Sequence, residues 1–543
     1  MPQEIFQVPV AVNEPVKSYA PGTPEKAELK KVLDELMSKE VELPMIIDGK
    51  EVTSGKKVAI HPPHDLNHTL GYYYQGDESH VKMAIDAALK AKKEWVKMDW
   101  KHRASIFLRI ANLLAGPYRA KINAATMLAQ SKTAFQAEID AACELIDFFR
   151  FNVQYMTEIY SQQPKSTPEM WNRLEQRPLE GFIFALTPFN FTSIAGNLPT
   201  APAIMGNTVV WKASKTQVYS AAVLMEIFMK AGLPDGVINL MFVSGPAAGN
   251  EIFTHPDFAG FHFTGSTDVF QNIWKQVGAN IATYKTYPRI VGETGGKDFV
   301  MVHESAEIKE TATGIVRGSF EYQGQKCSAV SRTYIPSCIW PELRKEIEDQ
   351  VSSIKMGTPL DFTNFMNAVI DEASFNNIMD YINHAQNSDD AEVIMGGHGD
   401  KSEGFFIEPT VILAKDPKYL TMREEIFGPV LTIYVYDAAK LDETLDLLDE
   451  TSEYALTGGV FAKDRTAIEH ITKRLVNSAG NFYINDKPTG AVVGMQPFGG
   501  ARKSGTNDKA GSMINLLRWV SPRTIKENFQ PDVDYKYPFM DEE

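Results

Sequence analysis

The chain has 543 residues, 44% hydrophobic and 23% charged, with a formal net charge of −15. That length exceeds what one core can organise and calls for two or three domains of ordinary soluble composition. The acidic balance excludes the basic face of a nucleic-acid partner and disfavours an anionic membrane surface; no apolar run approaches the ~20 residues of a membrane span.

Residues 1–45 mix prolines with one short helical run, "PEKAELKKVLDELMSK", and read as an arm laid over a core. A long helical tract follows. In "SHVKMAIDAALKAKKEWVK", Ile85, Leu89 and Lys92 with Trp95 recur at spacings of three and four, one stripe of a helix. "HRASIFLRIANLLAG" and "AEIDAACELIDFFRFNVQYM" repeat the pattern, and Cys143 in the second reads as a packing residue. From Glu180 the rhythm changes to short β-rich runs, "GFIFALTP", "NTVVWKAS", "VINLMFVSG" and "AGFHFTGS", with helices such as "VYSAAVLMEIFMKAG" between them. Such alternation predicts βαβ units and a mostly parallel sheet, with a nucleotide at the carboxyl ends of its strands. After about residue 295, "DFVMV", "RTYIP", "PVLTIYVY" and "LTGGVFA" predict a second α/β domain. The tail from Arg523 is polar and marked by prolines, and is expected to run extended along another subunit's edge.

Several motifs fail. "GETGGKD" has the wrong glycine spacing for a phosphate loop, and Asp298 stands where Ser or Thr would hold magnesium. There is no GxGxxG, HExxH or GxSxG. His61, His64 and His68 cluster in "HPPHDLNH", but the prolines indicate a surface loop, and no metal is expected. Cys143, Cys327 and Cys338 are odd in number and form no CxxC, which argues against a disulfide framework or a zinc ribbon. A reducing compartment suits them. The start lacks a signal-peptide core and the first arginine is Arg103, so the expected location is the cytoplasm, or the mitochondrial matrix for a processed form.

What remains is a series of polar residues at strand ends. Asn190 lies in "LTPFNFTSI", Lys212 in "VVWKASK", and Gly265 with Ser266 in "FTGST". Glu293 lies in "VGETGGK", Cys327 in "EYQGQKCSAVSR", and Glu425 in "REEIFGPV". Singly each has a plain reading: a turn asparagine, a solvated lysine, a helix cap, an exposed carboxylate, a packed thiol. In this order they resemble the aldehyde dehydrogenase superfamily from about residue 45 to 525. "FNFTSIAGNLPTAPA", "GNFYINDKPTG" and "QPFGGARKSGTNDK" narrow the likeness to the branch that oxidises glutamate γ-semialdehyde in proline breakdown.

That resemblance implies an α/β fold with a Rossmann-type cofactor domain over 46–170 and 187–294. A Cys-bearing α/β catalytic domain would span 295–504, and a small β-flap for oligomerisation 171–186 with 520–543. It implies Cys327 as nucleophile, with Asn190 and the Cys327 amide holding the oxyanion and Glu293 as general base. Lys326 and the amides of "CSAVS" are expected to lower the thiol pKa. For the cofactor it implies Lys212 on the adenosine ribose, Gly265 and Ser266 at the pyrophosphate, Glu425 on the nicotinamide ribose, Phe427 beside it, and a contact from Thr187. NAD is expected to be preferred, though Lys215, where NAD-using relatives often carry an acid, leaves NADP open. For the substrate it implies Gly490 and Ala491 with Ser328 on the carboxylate, and Glu144 on the ammonium. Phe191 and Phe498 would flank the aliphatic chain, and Lys326 would line the same pocket. Relatives often have serine where this chain has Ala491. A homodimer or larger homo-oligomer is expected. Two rival readings remain: a dehydrogenase for another small aldehyde, and an idle binding protein on the same fold.

Overall fold

The computed structural model describes residues 7–541, and among them two seven-stranded sheets carry the architecture. In the first, the strands Phe182–Leu186, Val209–Lys212, Ile238–Met241, Phe258–Thr264 and Arg289–Glu293 run parallel. Their spatial order is Arg289–Glu293, Phe258–Thr264, Phe182–Leu186, Val209–Lys212, Ile238–Met241. An antiparallel pair, Met45–Ile47 and Lys50–Val52, extends the far edge. All seven residues of Phe258–Thr264 are buried, so both faces of the sheet are covered, as parallel pairing demands. The winding reverses between Phe182–Leu186 and Phe258–Thr264, which opens a crevice at the carboxyl ends of those two strands.

The helix Thr192–Ile204 carries Pro199 and Pro202 in its interior, where prolines usually break a helix. Pro202 has no N–H for the carbonyl four residues back. That carbonyl, Leu198 O, instead accepts from Nδ1 of the buried His262 at 2.8 Å. The predicted helix over 78–95 forms as Glu78–Trp95, but its stripe is offset. Val81, Ala84, Ile85, Ala88 and Trp95 are buried, whereas Lys92 is half-buried and donates from Nζ to Leu179 O at 2.5 Å. The helix predicted around Cys143 contains a π-helical turn, Glu138–Glu144. Such turns recur at functional sites because they turn extra side chains inward.

In the second sheet the order is Ala391–Met395, Thr410–Ala414, Val430–Tyr436, Val330–Pro336, Asp298–Val302, Thr457–Phe461, Asn481–Ile484. All pairs are parallel except that of Ala391–Met395. The chain crosses from one sheet to the other in residues 294–297 alone. Glu293 therefore ends a strand of the first sheet, while Cys327 lies just ahead of the Val330–Pro336 strand of the second. The carboxyl edge of one sheet meets the amino edge of the other at these two residues.

Three segments depart from the sequence reading. Phe182–Leu186, grouped there with the flap, is a strand of the first sheet because its Phe and Ile side chains need burial on both sides. The flap strand is Met170–Pro178, paired antiparallel with Val520–Asn528 over nine residue pairs. The first six residues of the tail, 523–528, thus pair within their own chain; residues 542 and 543 of the predicted flap lie outside the described residues. In "HPPHDLNH", Pro62, Pro63 and His64 are buried rather than on a surface loop, and His64 Nδ1 meets Ser131 Oγ at 3.1 Å. No helix among the described residues is long and apolar enough to cross a membrane.

Candidate active site

The turn that presents Cys327 runs against the chain's natural handedness. Tyr322, Gln323 and Gly324 have φ of 52°, 56° and 65°, a region that costs a non-glycine residue roughly 1–2 kcal/mol. The surroundings hold it there. Gln323 Nε2 donates to Ser131 O and Ala368 O at 3.1 and 2.8 Å, and Ile370 N–H donates to Gln325 Oε1 at 2.9 Å. At Gly324 a Cβ would stand 2.2 Å from Gly428 O, so only glycine fits. Asn190 Nδ2 donates to Gln325 O at 3.1 Å, which fixes that amide on the cysteine's own turn with one of its two hydrogens.

The sulfur itself is closed in, with Cys327 8% exposed. Burial pushes its thiol well above the ordinary range, and the carboxylates of Glu293, Asp298 and Glu425 push the same way. Lys326, expected to draw the proton off, is turned away: its Nζ pairs with Glu321 at 3.0 Å, and Lys487 joins that carboxylate at 2.6 Å. Burial therefore works against an ionised thiol, and Lys326, engaged by Glu321, does not stand where the sequence expectation put it. Glu293 accepts from Gly500 N–H at 3.2 Å. Burial pushes its carboxyl up to about 8, which makes it a base poised near neutral pH. The two glycines after it are closely approached by their neighbours. A Cβ on Gly295 would meet Glu425 Oε2 at 2.1 Å, and one on Gly296 would meet Cys327 O at 2.3 Å.

Cys327 and Glu293 share a cavity of about 430 Å³ with Glu144, Phe191, Lys326, Ser328, Gly490, Ala491 and Phe498. The two sheets thus bring together every residue predicted for the substrate. Glu144 accepts from Ser193 Oγ at 2.9 Å, and burial followed by the neighbouring Asp140 raises its carboxyl to about 8. Ser328 Oγ lies 2.8 Å from Thr489 Oγ1. Sequence reading missed several lining residues: Asn13, Glu14 and Val16 of the arm, His262, and Thr489. Polar residues in a proline-rich arm carry no local mark of a site whose other residues lie far along the chain. His262 sat in a quoted strand, but only the fold shows its ring facing the cavity wall.

A second cavity, of about 390 Å³, opens at the carboxyl ends of Val209–Lys212 and Ile238–Met241, between Lys212, Lys215, Ser244, Gly245 and Tyr73. Lys212 is mostly buried; desolvation lowers its amine to about 8, and Nζ reaches Ala213 O at 3.2 Å. Lys215 is exposed and paired with Asp371 at 3.3 Å. Thr187 and Gly265 follow the two strands at which the winding reverses. Thr187 Oγ1 accepts from Trp211 Nε1 at 3.1 Å. Ser266 caps the helix Thr267–Ala279 by accepting from Val269 N–H at 3.3 Å. Glu425 accepts from Gly296 N–H at 2.9 Å, and burial raises its carboxyl to about 7. Phe427, at φ 58°, sets its ring edge-on to Phe189 at 5.8 Å. These five line neither cavity.

The chain is 51% identical over 536 residues, 98% of its length and 96% of the relative's, to the mitochondrial delta-1-pyrroline-5-carboxylate dehydrogenase of Dictyostelium discoideum. It is 46% identical over 529 residues (97% and 94%) to the protein of that name from Homo sapiens. Its structure is similar to the crystal structure of the delta-pyrroline-5-carboxylate dehydrogenase of Mycobacterium tuberculosis bound with NAD, with a TM-score of 0.96, 49% identity and 99% of each chain covered. With a family match that spans residues 51–525 on top of near-half identity over the whole length, one assignment remains: the chain belongs to the aldehyde dehydrogenase family.

Proposed function

We propose that the chain oxidises L-glutamate γ-semialdehyde, the open form of Δ1-pyrroline-5-carboxylate, to L-glutamate with NAD as oxidant, the second step of proline breakdown. The carrying observation is the single cavity that joins Cys327 and Glu293 to the loop amides of Gly490 and Ala491 and the carboxyl of Glu144. A thiol and a base at one end and an amino-acid anchor at the other match an aldehyde that carries a carboxylate and an ammonium.

The residues present fit a dinucleotide. Lys212 faces a nucleotide-sized cavity with most of its donors uncommitted. The helix Thr267–Ala279 offers its N-terminal amides at the winding reversal. Gly295 and Gly296 leave the space beside Glu425 and Cys327 that a side chain would fill. When bound there, the nicotinamide accepts the hydride that turns the thiohemiacetal into a thioester. The chain's residues do the rest. Sγ of Cys327 bonds to the aldehyde carbon as its proton passes to ionised Glu293. Asn190 Nδ2 and the Cys327 amide hold the oxyanion, donors whose loss typically costs ~10²–10³ in rate. Glu293 gives the thiol's proton up to solvent, then takes one from water; the resulting hydroxide displaces the thiolate to release the acid, and the proton on Glu293 returns to Sγ. Lys215, the exposed lysine beside Lys212, is paired with Asp371 at 3.3 Å, which weakens its pull on a 2′-phosphate and favours NAD over NADP.

Residues 46–170 and 182–294 form the cofactor unit on this reading, and 295–504 the catalytic unit. The flap makes the chain a homodimer or larger. Reduced thiols suit the cytoplasm or the mitochondrial matrix. A spectrophotometric assay should give the highest kcat/KM with Δ1-pyrroline-5-carboxylate and NAD, above NADP and above propanal or succinate semialdehyde. Cys327→Ala should abolish turnover. A preference for another aldehyde would defeat the substrate assignment, and residual activity in Cys327→Ala would defeat the mechanism.

A further inference from the structure

Asn13, Glu14 and Val16 of the amino-terminal arm line the cavity that holds the thiol, and the proposed chemistry does not use them. Residues 11–19 are held along the helical layer by a chain of hydrogen bonds. Ala11 N–H donates to Gln154 Oε1 at 2.9 Å, Glu14 N–H to Asp147 Oδ1 at 2.7 Å, and Lys17 N–H to Glu138 Oε1 at 2.8 Å. The Glu14 carboxylate pairs with Arg119 and with Arg150, the latter at 2.8 Å. Tyr19 OH donates to Glu138 Oε2 at 2.8 Å. That density of bonds is far more than an extended arm needs to stay on a surface.

Asn13 does something further. Its Nδ2 donates to Asp147 Oδ2 at 2.8 Å and to Val493 O at 2.7 Å. Both partners are acceptors, so the amide can face them in one orientation only. Val493 lies in the loop that carries Gly490 and Ala491. At its other end the loop is tied to the cysteine's turn through Thr489 Oγ1 and Ser328 Oγ, 2.8 Å apart. Beyond Val493 it closes on itself: Val492 N–H donates to Gln496 Oε1 at 3.0 Å, and at Gly494 a Cβ would stand 2.3 Å from the Phe151 ring. The span 489–493 is therefore clamped at both ends, by Ser328 on one side and by Asn13 on the other. Between the clamps Gly490 has φ 91°, a conformation with no strong intrinsic preference to keep it in place.

We propose that Asn13 is a positioning residue for the substrate's amino-acid end: by bridging Asp147 to Val493 O, it holds the Gly490 and Ala491 amides in the geometry that receives a carboxylate. This rests on the substrate reading above. A clamp of this kind acts through preorganisation, so its loss weakens binding of the anchored substrate more than it slows chemistry at the thiol. An aldehyde with no carboxylate gains nothing from the loop.

The test compares full-length wild type with Asn13→Ala, and with Asn13→Asp, which cannot donate and sets a carboxylate against Asp147. Each is assayed with Δ1-pyrroline-5-carboxylate and with propanal, beside hydrogen exchange of residues 489–496. Both variants should lower the ratio of kcat/KM between the two substrates by about ten-fold, carried mainly by KM, and should speed exchange in the loop. An unchanged ratio, or equal losses with both aldehydes, would overturn the proposal. Should Asn13→Ala not fold, Asn13→Ser, which keeps one donor, is read by the same ratio. A wild type that turns over propanal but not Δ1-pyrroline-5-carboxylate sinks the substrate reading instead, and the exchange data then still report whether Asn13 holds the loop.

Discussion

A carboxyl group held near pH 8 is mostly protonated at neutral pH, and only its ionised fraction can act as a base. Glu293, raised to about 8 from an ordinary 4.5 by burial, should make kcat/KM climb with pH and level off above about 8. Glu293→Gln should lose at least ~10²-fold activity and the pH dependence with it. Linkage gives a second reading of the same group. Its folded pKa is raised, so its contribution to stability is complete below pH 4.5 and is lost as pH rises through about 8. Glu293→Gln should therefore be more stable than wild type at pH 9, by a margin that shrinks toward pH 5, as read by melting temperature. At Cys327 the buried thiol is pushed up, so iodoacetamide should inactivate the cofactor-free enzyme slowly at pH 7 and progressively faster up to pH 10. A fast, pH-independent rate would mean an ionised resting sulfur.

Elements bring these residues into place through a few costly conformations. In the cysteine's turn, Gly324→Ala must place a methyl at 2.2 Å from Gly428 O in left-handed backbone; overpacking of this kind costs roughly 1–3 kcal/mol. Denaturant unfolding should show that loss, and alkylation of Cys327 should change because the turn presents the thiol. At the start of the helix Thr192–Ile204, Asp140 accepts from Thr192 and Ser193 N–H at 3.0 and 2.8 Å while pairing with the fully buried Lys132 at 2.7 Å. Asp140→Asn keeps the shape but strips Lys132 of its countercharge. A destabilisation of about 3 kcal/mol or more is expected in urea unfolding. The π-turn Glu138–Glu144 was invisible to a period of 3.6 because its neighbours on both sides keep the helical stripe.

At the scale of the whole molecule, the flap pair Met170–Pro178 with Val520–Asn528 leaves a two-stranded ribbon with largely exposed side chains, which is too little to be stable alone in water. Light scattering should give at least twice the chain's 60.6 kDa, and a species of one chain mass would refute association through the flap. The sheet order was legible in part. Runs such as "GFIFALTP" and "AGFHFTGS" announced strands by composition and by the polar residues that end them. That Phe182–Leu186 is the strand at which the winding reverses followed from neither, because order depends on which edge each βαβ unit joins.

The chemistry-bearing types, Cys327, Glu293 and Asn190 with their glycine-rich neighbours, were fixed locally, since a nucleophile, a base and the space around them need particular atoms at particular chain positions. Resemblance supplied their roles. Only the tertiary structure decided where charge resides: Lys326 was read as the thiol's cation but pairs with Glu321, and burial pushes the thiol's pKa up. It alone also brought Asn13 to Val493 across 480 positions. Electrostatics falls off over a few ångströms of space and ignores separation along the chain, so pKa and cavity walls belong to the fold, while identity and local conformation belong to the sequence.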